Sequence, residues 1–218
     1  LNRVLPSLAG LFFYMNYKTE NIKHIIVNQS LKLDCGKTIK DFPLAYETYG
    51  ELNGKKDNAI LVFHALTGDQ FVSATNPITK KDGWWQSAVG QGKAIDTNKY
   101  FVICANVLGG CMGTYGPKEI DVSTNEPFGL SFPVITIKDM VLAQKMLCDQ
   151  LGVKSIHSVV GASMGGMQAL QWAIDYSDFV KQCTLVATAS KLSPQAMAFA
   201  AITTIPIIFI FSFVQKYY

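Results

Sequence analysis

An α/β fold built on a largely parallel sheet is what this sequence predicts, and three observations predict it. Apolar runs without polar alternation occur at 58–66 and 99–110, as strands buried on both faces require, and a further strand reads at 155–162. Segments with helical spacing, 136–151 and 164–175, lie on either side of that further strand. Apolar residues make up 49% of the 218 and charged residues 16%, which supplies a real core and excludes a disordered chain.

Taken in order, residues 29–50 (QSLKLDCGKTIKDFPLAYETYG) read as two strands joined by a turn at Asp34-Cys35-Gly36-Lys37. Alternation over 42–49 suits a half-exposed antiparallel pair, so an N-terminal hairpin precedes the parallel strands. NAILVFHAL, 58–66, is the third strand, and KYFVICANVLGG, 99–110, repeats its pattern. The polar stretch 67–98, with Trp84 and Trp85, reads as a long loop holding one short helix. At 136, Thr136-Ile137-Lys138-Asp139 has capping-box spacing, and Met140, Ala143, Leu147 and Leu151 then share a face until Gly152 stops the helix. Strand 155–162, helix 164–175 and strand 183–189 complete the pattern, with no internal repeat.

A formal charge of +3 without Lys/Arg-rich runs gives no reason to expect nucleic acid. Cys35, Cys104, Cys111, Cys148 and Cys183 lack metal-ligand spacing, so no metal is expected. Their odd number fits reduced, mostly buried thiols in a cytoplasmic protein. Both ends look foreign to the middle. Residues 1–14 are expected to be a non-native extension ahead of a start at Met15; read as a signal peptide, they lack a convincing cleavage site. Residues 196–214 carry no charge, long enough for a membrane anchor, yet the Ile/Phe-rich run also suits out-of-frame translation. The latter is the expectation, with 15–200 as the folded part, 201–218 as an aberrant tail, and no membrane association.

The chemistry sits in Gly161-Ala162-Ser163-Met164-Gly165, between a predicted buried strand and a predicted helix. A serine on such a strained turn is exposed for nucleophilic attack, and the flanking glycines permit close packing. The helix start aims free N–H groups at developing negative charge. One oxyanion donor is the N–H of Met164; the other falls in the loop after the third strand, near Ala65 or Leu66. The three histidines, His24, His64 and His157, all precede the serine, and His64 and His157 read as structural.

FPLAYETYGELN, HALTGD, GWWQSAVGQGKAIDTNKYFVICANVLGGCMGTYGP, FPVITIKDMVLAQKMLCDQLGV and VVGASMGGMQALQWA together resemble the homoserine O-acyltransferase family, over roughly residues 25–200. The resemblance implies an α/β-hydrolase fold, with Ser163 as nucleophile, Gly161 and Gly165 framing its turn, and the Leu66 and Met164 N–H groups as the oxyanion hole. It implies transfer of an acetyl or succinyl group from acyl-CoA, as cosubstrate and not bound cofactor, to the hydroxyl of L-homoserine through a seryl ester, in methionine biosynthesis. Tyr115 and the Tyr-Ser-Asp run at 176–178 depart from the family pattern in small ways. The large departure begins near Ala200, where the family continues into cap helices and the last core strands, which bring the triad Asp and His. The expectation is therefore a nucleophile without its base, in a poorly soluble and inactive chain, with no dimer through the absent cap. Alternatives are an esterase, a serine O-acyltransferase, or a non-catalytic fragment.

Overall fold

The computed structural model describes residues 22–195, 197 and 198. The expectations for 1–14 and 201–218 lie outside these, as does 196–214 apart from residues 197 and 198. Six strands form the main sheet: β1 (His24–Val27), β2 (Phe42–Tyr49), β3 (Ala59–Phe63), β4 (Phe101–Ala105), β5 (Ile156–Ala162) and β6 (Cys183–Val186). Their order is β1-β2-β4-β3-β5-β6. β1–β2 and β2–β4 are antiparallel, while β4, β3, β5 and β6 run parallel. Helices α1 (Ile137–Gln150) and α2 (Met164–Asp175) lie in the same unit. That unit extends to Thr188, and Ala189 begins a second.

Strand β3 explains the uninterrupted apolar run, since all five of its residues are buried. Leu61 and Phe63 face a core shared with Ile103, Val159, Leu147 and Trp172. Ile60 and Val62 face the opposite layer with Val102, Cys104 and Val160, where Val72, Val89 and Trp85 cover them. That cover is the segment 67–98, which contains no helix, contrary to expectation. Backbone turns and side chains together hold it: Trp85 N–H donates to the Val72 carbonyl at 2.8 Å, Asp69 accepts from the Phe71 N–H at 2.9 Å and from Asn76 Nδ2 at 2.7 Å, and Trp84 Nε1 donates to the Asp69 carbonyl at 2.9 Å.

Three further expectations are corrected. The turn at 34–37 joins only a two-residue ladder, Leu31–Lys32 with Thr38–Ile39, and the strand beside β2 on that side is β1, with His24 opposite Ala45. Asp41, at a φ of 51°, breaks the chain just before β2, so no strand runs through 38–50. On α1 the buried positions are Asp139, Val141, Ala143, Gln144, Leu147 and Cys148, while Met140 and Leu151 are only half-buried. Of the cysteines, Cys104 and Cys148 are buried but Cys35, Cys111 and Cys183 are exposed. Burial pushes the Cys148 thiol up to about 12 and Cys104 well above its ordinary value.

The capping box is present in full, and it does more than start a helix. Asp139, fully buried, accepts from the Thr136 N–H at 2.8 Å while Thr136 Oγ1 accepts from the Asp139 N–H at 3.2 Å. The other carboxylate oxygen accepts from the Asp34 N–H at 2.9 Å, tying the 34–37 turn to α1 across 105 residues of sequence. Asp139→Ala leaves the part-buried Thr136 and Asp34 N–H groups without their acceptor and removes the reciprocal half of the capping box. We expect it to cost about 2–4 kcal/mol, measured as a lower urea midpoint at unchanged slope.

Candidate active site

Chain topology places a crevice before any side chain is considered. After β3 the chain leaves toward β4 on one side; after β5 it leaves toward β6 on the other. The crevice outside the carboxyl ends of β3 and β5 is therefore a topological switch point, where open α/β sheets bind ligands. The register sets Gly161 beside Phe63 and Ala162 beside Val186. Ser163 and the 64–66 segment consequently begin at adjacent strand ends.

Ser163 occupies a φ of 55° and ψ of −124°, a sparsely populated conformation for a residue with a side chain. A serine ahead of a helix ordinarily caps it from an extended backbone; here the hydroxyl makes no cap hydrogen bond and the residue is exposed. Backbone contacts hold the strain in place. The Ser163 N–H donates to the Val186 carbonyl at 3.1 Å. The Ser163 carbonyl accepts from Thr188 Oγ1 at 2.7 Å and from the Gly166 N–H at 3.0 Å. Thr188 carries no sequence signal that marks it as this support.

The flanking glycines are needed for contact. A Cβ on Gly165 would run into the carbonyls of Phe63 and His64, and one on Gly161 into the backbone of Gly165. Backbone of α2 thus lies directly on the end of β3. Met164 is the first residue of α2, so its N–H has no acceptor within the helix. The Leu66 N–H has no hydrogen-bond partner among the described residues, and Leu66 is 75% exposed. The arrangement offers an exposed hydroxyl, a helix N-terminus and a free amide around one crevice, a setting suited to a developing oxyanion. A cavity of about 250 Å³ opens beside the same loop, lined in part by Thr67, Gly68, Asp69 and Trp84.

None of the three histidines bonds Ser163. His24 lies on β1, four strand spacings from β5, which at about 4.8 Å each is about 19 Å. His157 lies near the start of β5, its ring 4.8 Å from that of Tyr100, and six residues or about 20 Å from Ser163. His64 is buried, with Nδ1 2.8 Å from the Ala65 carbonyl and Nε2 without a hydrogen-bond partner. Burial pushes its imidazole below the ordinary value, against the opposing pull of the Ala65 carbonyl and the Asp69 charge. Among the described residues no cluster of His, Cys, Asp and Glu could hold a metal ion, and no helix is long and apolar enough to cross a membrane.

A parallel sheet with a strained serine between β5 and α2 defines a class, and the chain belongs to the alpha/beta hydrolase fold family, which matches it over residues 58–207. Within that class it is a homologue of the homoserine O-acetyltransferases. It is 60% identical to that enzyme of Pelagibacter ubique over 82% of this chain and 48% of the relative. With that of Methanobrevibacter ruminantium it shares 55% identity over 81% of this chain and 36% of the relative. The crystal structure of a homoserine O-acetyltransferase from Bacillus anthracis superposes with a TM-score of 0.74 at 34% identity, covering 79% of this chain and 48% of that one. Esterase E22 gives the same TM-score and identity over 81% and 50%. The chain spans about half the length, or less, of the relatives it matches.

Gly165→Ala is expected to push α2 off β3 and cost about 1–3 kcal/mol in urea unfolding. Acid should act through His64. The unfolded imidazole takes a proton near 6.5 and the folded one only lower, so the unfolded state binds more protons below 6.5. Stability from this group is full above that value and declines as pH falls beneath it. Urea midpoints measured across that range should fall in the wild type, and this component should vanish in His64→Gln.

Proposed function

We propose that the chain carries the nucleophile and oxyanion half of an acyl-transfer site. Ser163 Oγ attacks the thioester carbonyl of acetyl- or succinyl-CoA, the C–S bond breaks, and CoA departs as the thiol. The hydroxyl of L-homoserine then attacks the seryl ester, and Ser163 regains its proton. The Leu66 and Met164 N–H groups stabilise the tetrahedral oxyanion in both halves, and Gly161 and Gly165 allow the backbone approach that sets them beside Ser163. The observation that carries this reading is the backbone of Ser163, strained at a strand-to-helix turn with its hydroxyl exposed and not capping the helix. Membership in a methionine-forming route in the cytoplasm follows from the same homology.

The 218 residues alone are proposed to lack turnover, because no described histidine reaches Ser163. When serine and histidine act as a unit, losing one costs on the order of a millionfold in rate. Four exposed residues on β6, with Leu185 and Val186 on opposite faces, further favour association of the isolated chain. The likeness to esterase E22 supports a second reading in which water, not homoserine, takes the acyl group.

Incubation of the chain with acetyl-CoA or succinyl-CoA, followed by peptide mass spectrometry, separates these. Slow acylation confined to Ser163 and lost in Ser163→Ala is the expected result. CoA release at rates typical of an intact triad would overturn the inactivity proposal, and acylation persisting in Ser163→Ala would overturn the site. Added homoserine should accelerate ester loss and yield the O-acyl amino acid; loss at the same rate without it would favour the esterase.

A further inference from the structure

We infer that His64 is a positioning residue of this site, fixing the direction of the Leu66 N–H by holding the carbonyl of Ala65; the inference rests on the reading of Ser163 and Leu66 given above. The Ala65 carbonyl and the Leu66 N–H belong to one peptide unit. Peptide units are planar, and the chain has no cis bond among its described residues, so the two groups point in opposite directions. Whatever anchors the carbonyl therefore aims the amide.

Two donors anchor it. His64 Nδ1 lies 2.8 Å from the Ala65 oxygen, and the Gly68 N–H donates to the same oxygen at 2.9 Å. A carbonyl only accepts, so the proton must sit on Nδ1, which fixes the tautomer of a neutral ring. His64 is 1% exposed, so its ring is packed within the protein. On the far side of the peptide the Leu66 N–H is left without a partner, as a pre-aimed donor must be. The same geometry explains why His64 is not the missing base. Its Nδ1 is occupied as a donor, and its Nε2 lone pair is buried without a bond to Ser163.

The test uses the full chain and the rate at which p-nitrophenyl acetate acetylates the Ser163 peptide, followed by mass spectrometry against reagent concentration. Wild type, His64→Phe, His64→Asn and Ser163→Ala are compared. Asparagine offers an amide N–H where Nδ1–H stands. His64→Phe should lower the limiting rate about tenfold to a hundredfold, with half-saturation little changed, since a loosened donor costs less than a deleted one. His64→Asn should keep the rate within about threefold. Histidine ¹⁵N spectra of the wild type should show His64 as the neutral Nδ1–H tautomer, a result that does not depend on any variant folding. A folded His64→Phe as fast as wild type, a folded His64→Asn as slow as His64→Phe, or an Nε2–H tautomer overturns the inference and leaves the Ser163 reading standing. Equal Ser163-independent acetylation in Ser163→Ala removes the site reading, and the inference with it.

Discussion

The direct contact of α2 backbone with the end of β3 is the constraint from which the rest of the site follows. For Gly165 to lie on the Phe63 and His64 carbonyls, the chain must turn within one residue of β5, and Ser163 absorbs that turn at a φ of 55°. Such a conformation costs about 1–3 kcal/mol in isolation. It persists because β6 and the residues just after it grip both sides of the serine, through the Val186 carbonyl and the Thr188 hydroxyl, while β3 and β5 pair beneath it. Strand β6 is thus a clamp as well as a member of the sheet, and Ala187, at a φ of 44°, ends it where the clamp begins.

The two faces of the sheet are covered by different means. One face carries α1 and α2, joined by a buried relay in which Trp172 Nε1 donates to Gln144 at 3.0 Å and Gln144 donates to Gln168 at 2.6 Å. Low dielectric makes such a relay specific, because mispacking the helices would strand its polar groups. The opposite face carries the 67–98 segment, whose Val72, Trp85 and Val89 take the place of a helix. Its Asp69 and Asn76 supply acceptors that a helix would have found in its own backbone. The loop that carries Leu66 is therefore continuous with a packed layer.

What could be read from the sequence was what depends on neighbours along the chain. The capping box at Thr136 and Asp139, the span of α2, the burial of β3, and the Gly161-x-Ser163-x-Gly165 turn are local patterns with local causes. The mixed sheet of the α/β-hydrolase fold followed from them. The errors fell on non-local features. Pairing of β1 with β2 skips the 34–37 turn, and nothing within 29–50 announces that Asp41 will break the strand. Exposure of Cys183 reflects the edge position of β6, which periodicity does not encode. Thr188 acts only because parallel pairing returns the chain beside Ser163. The Asp139 bond to Asp34 had half a signature: the box was legible, its distant partner was not.

The same division separates the proposed oxyanion half of the site from its base. Ser163, Met164 and Leu66 are set by two strand ends and one peptide plane, all contacts of β3, β5 and β6. Their geometry exists whether or not a proton acceptor is present. A base must instead come from a loop at the carboxyl edge of the sheet. His157 sits at the opposite edge, His24 lies on the far strand, and His64 spends its one N–H on a carbonyl. The open edge of β6 is the side on which added strands would deliver further loops to that crevice. The part of the site that must be rigid is thus made by the described chain alone. The strain at Ser163 is then a property of the fold, held by backbone contacts alone whatever proton acceptor the proposed reaction uses.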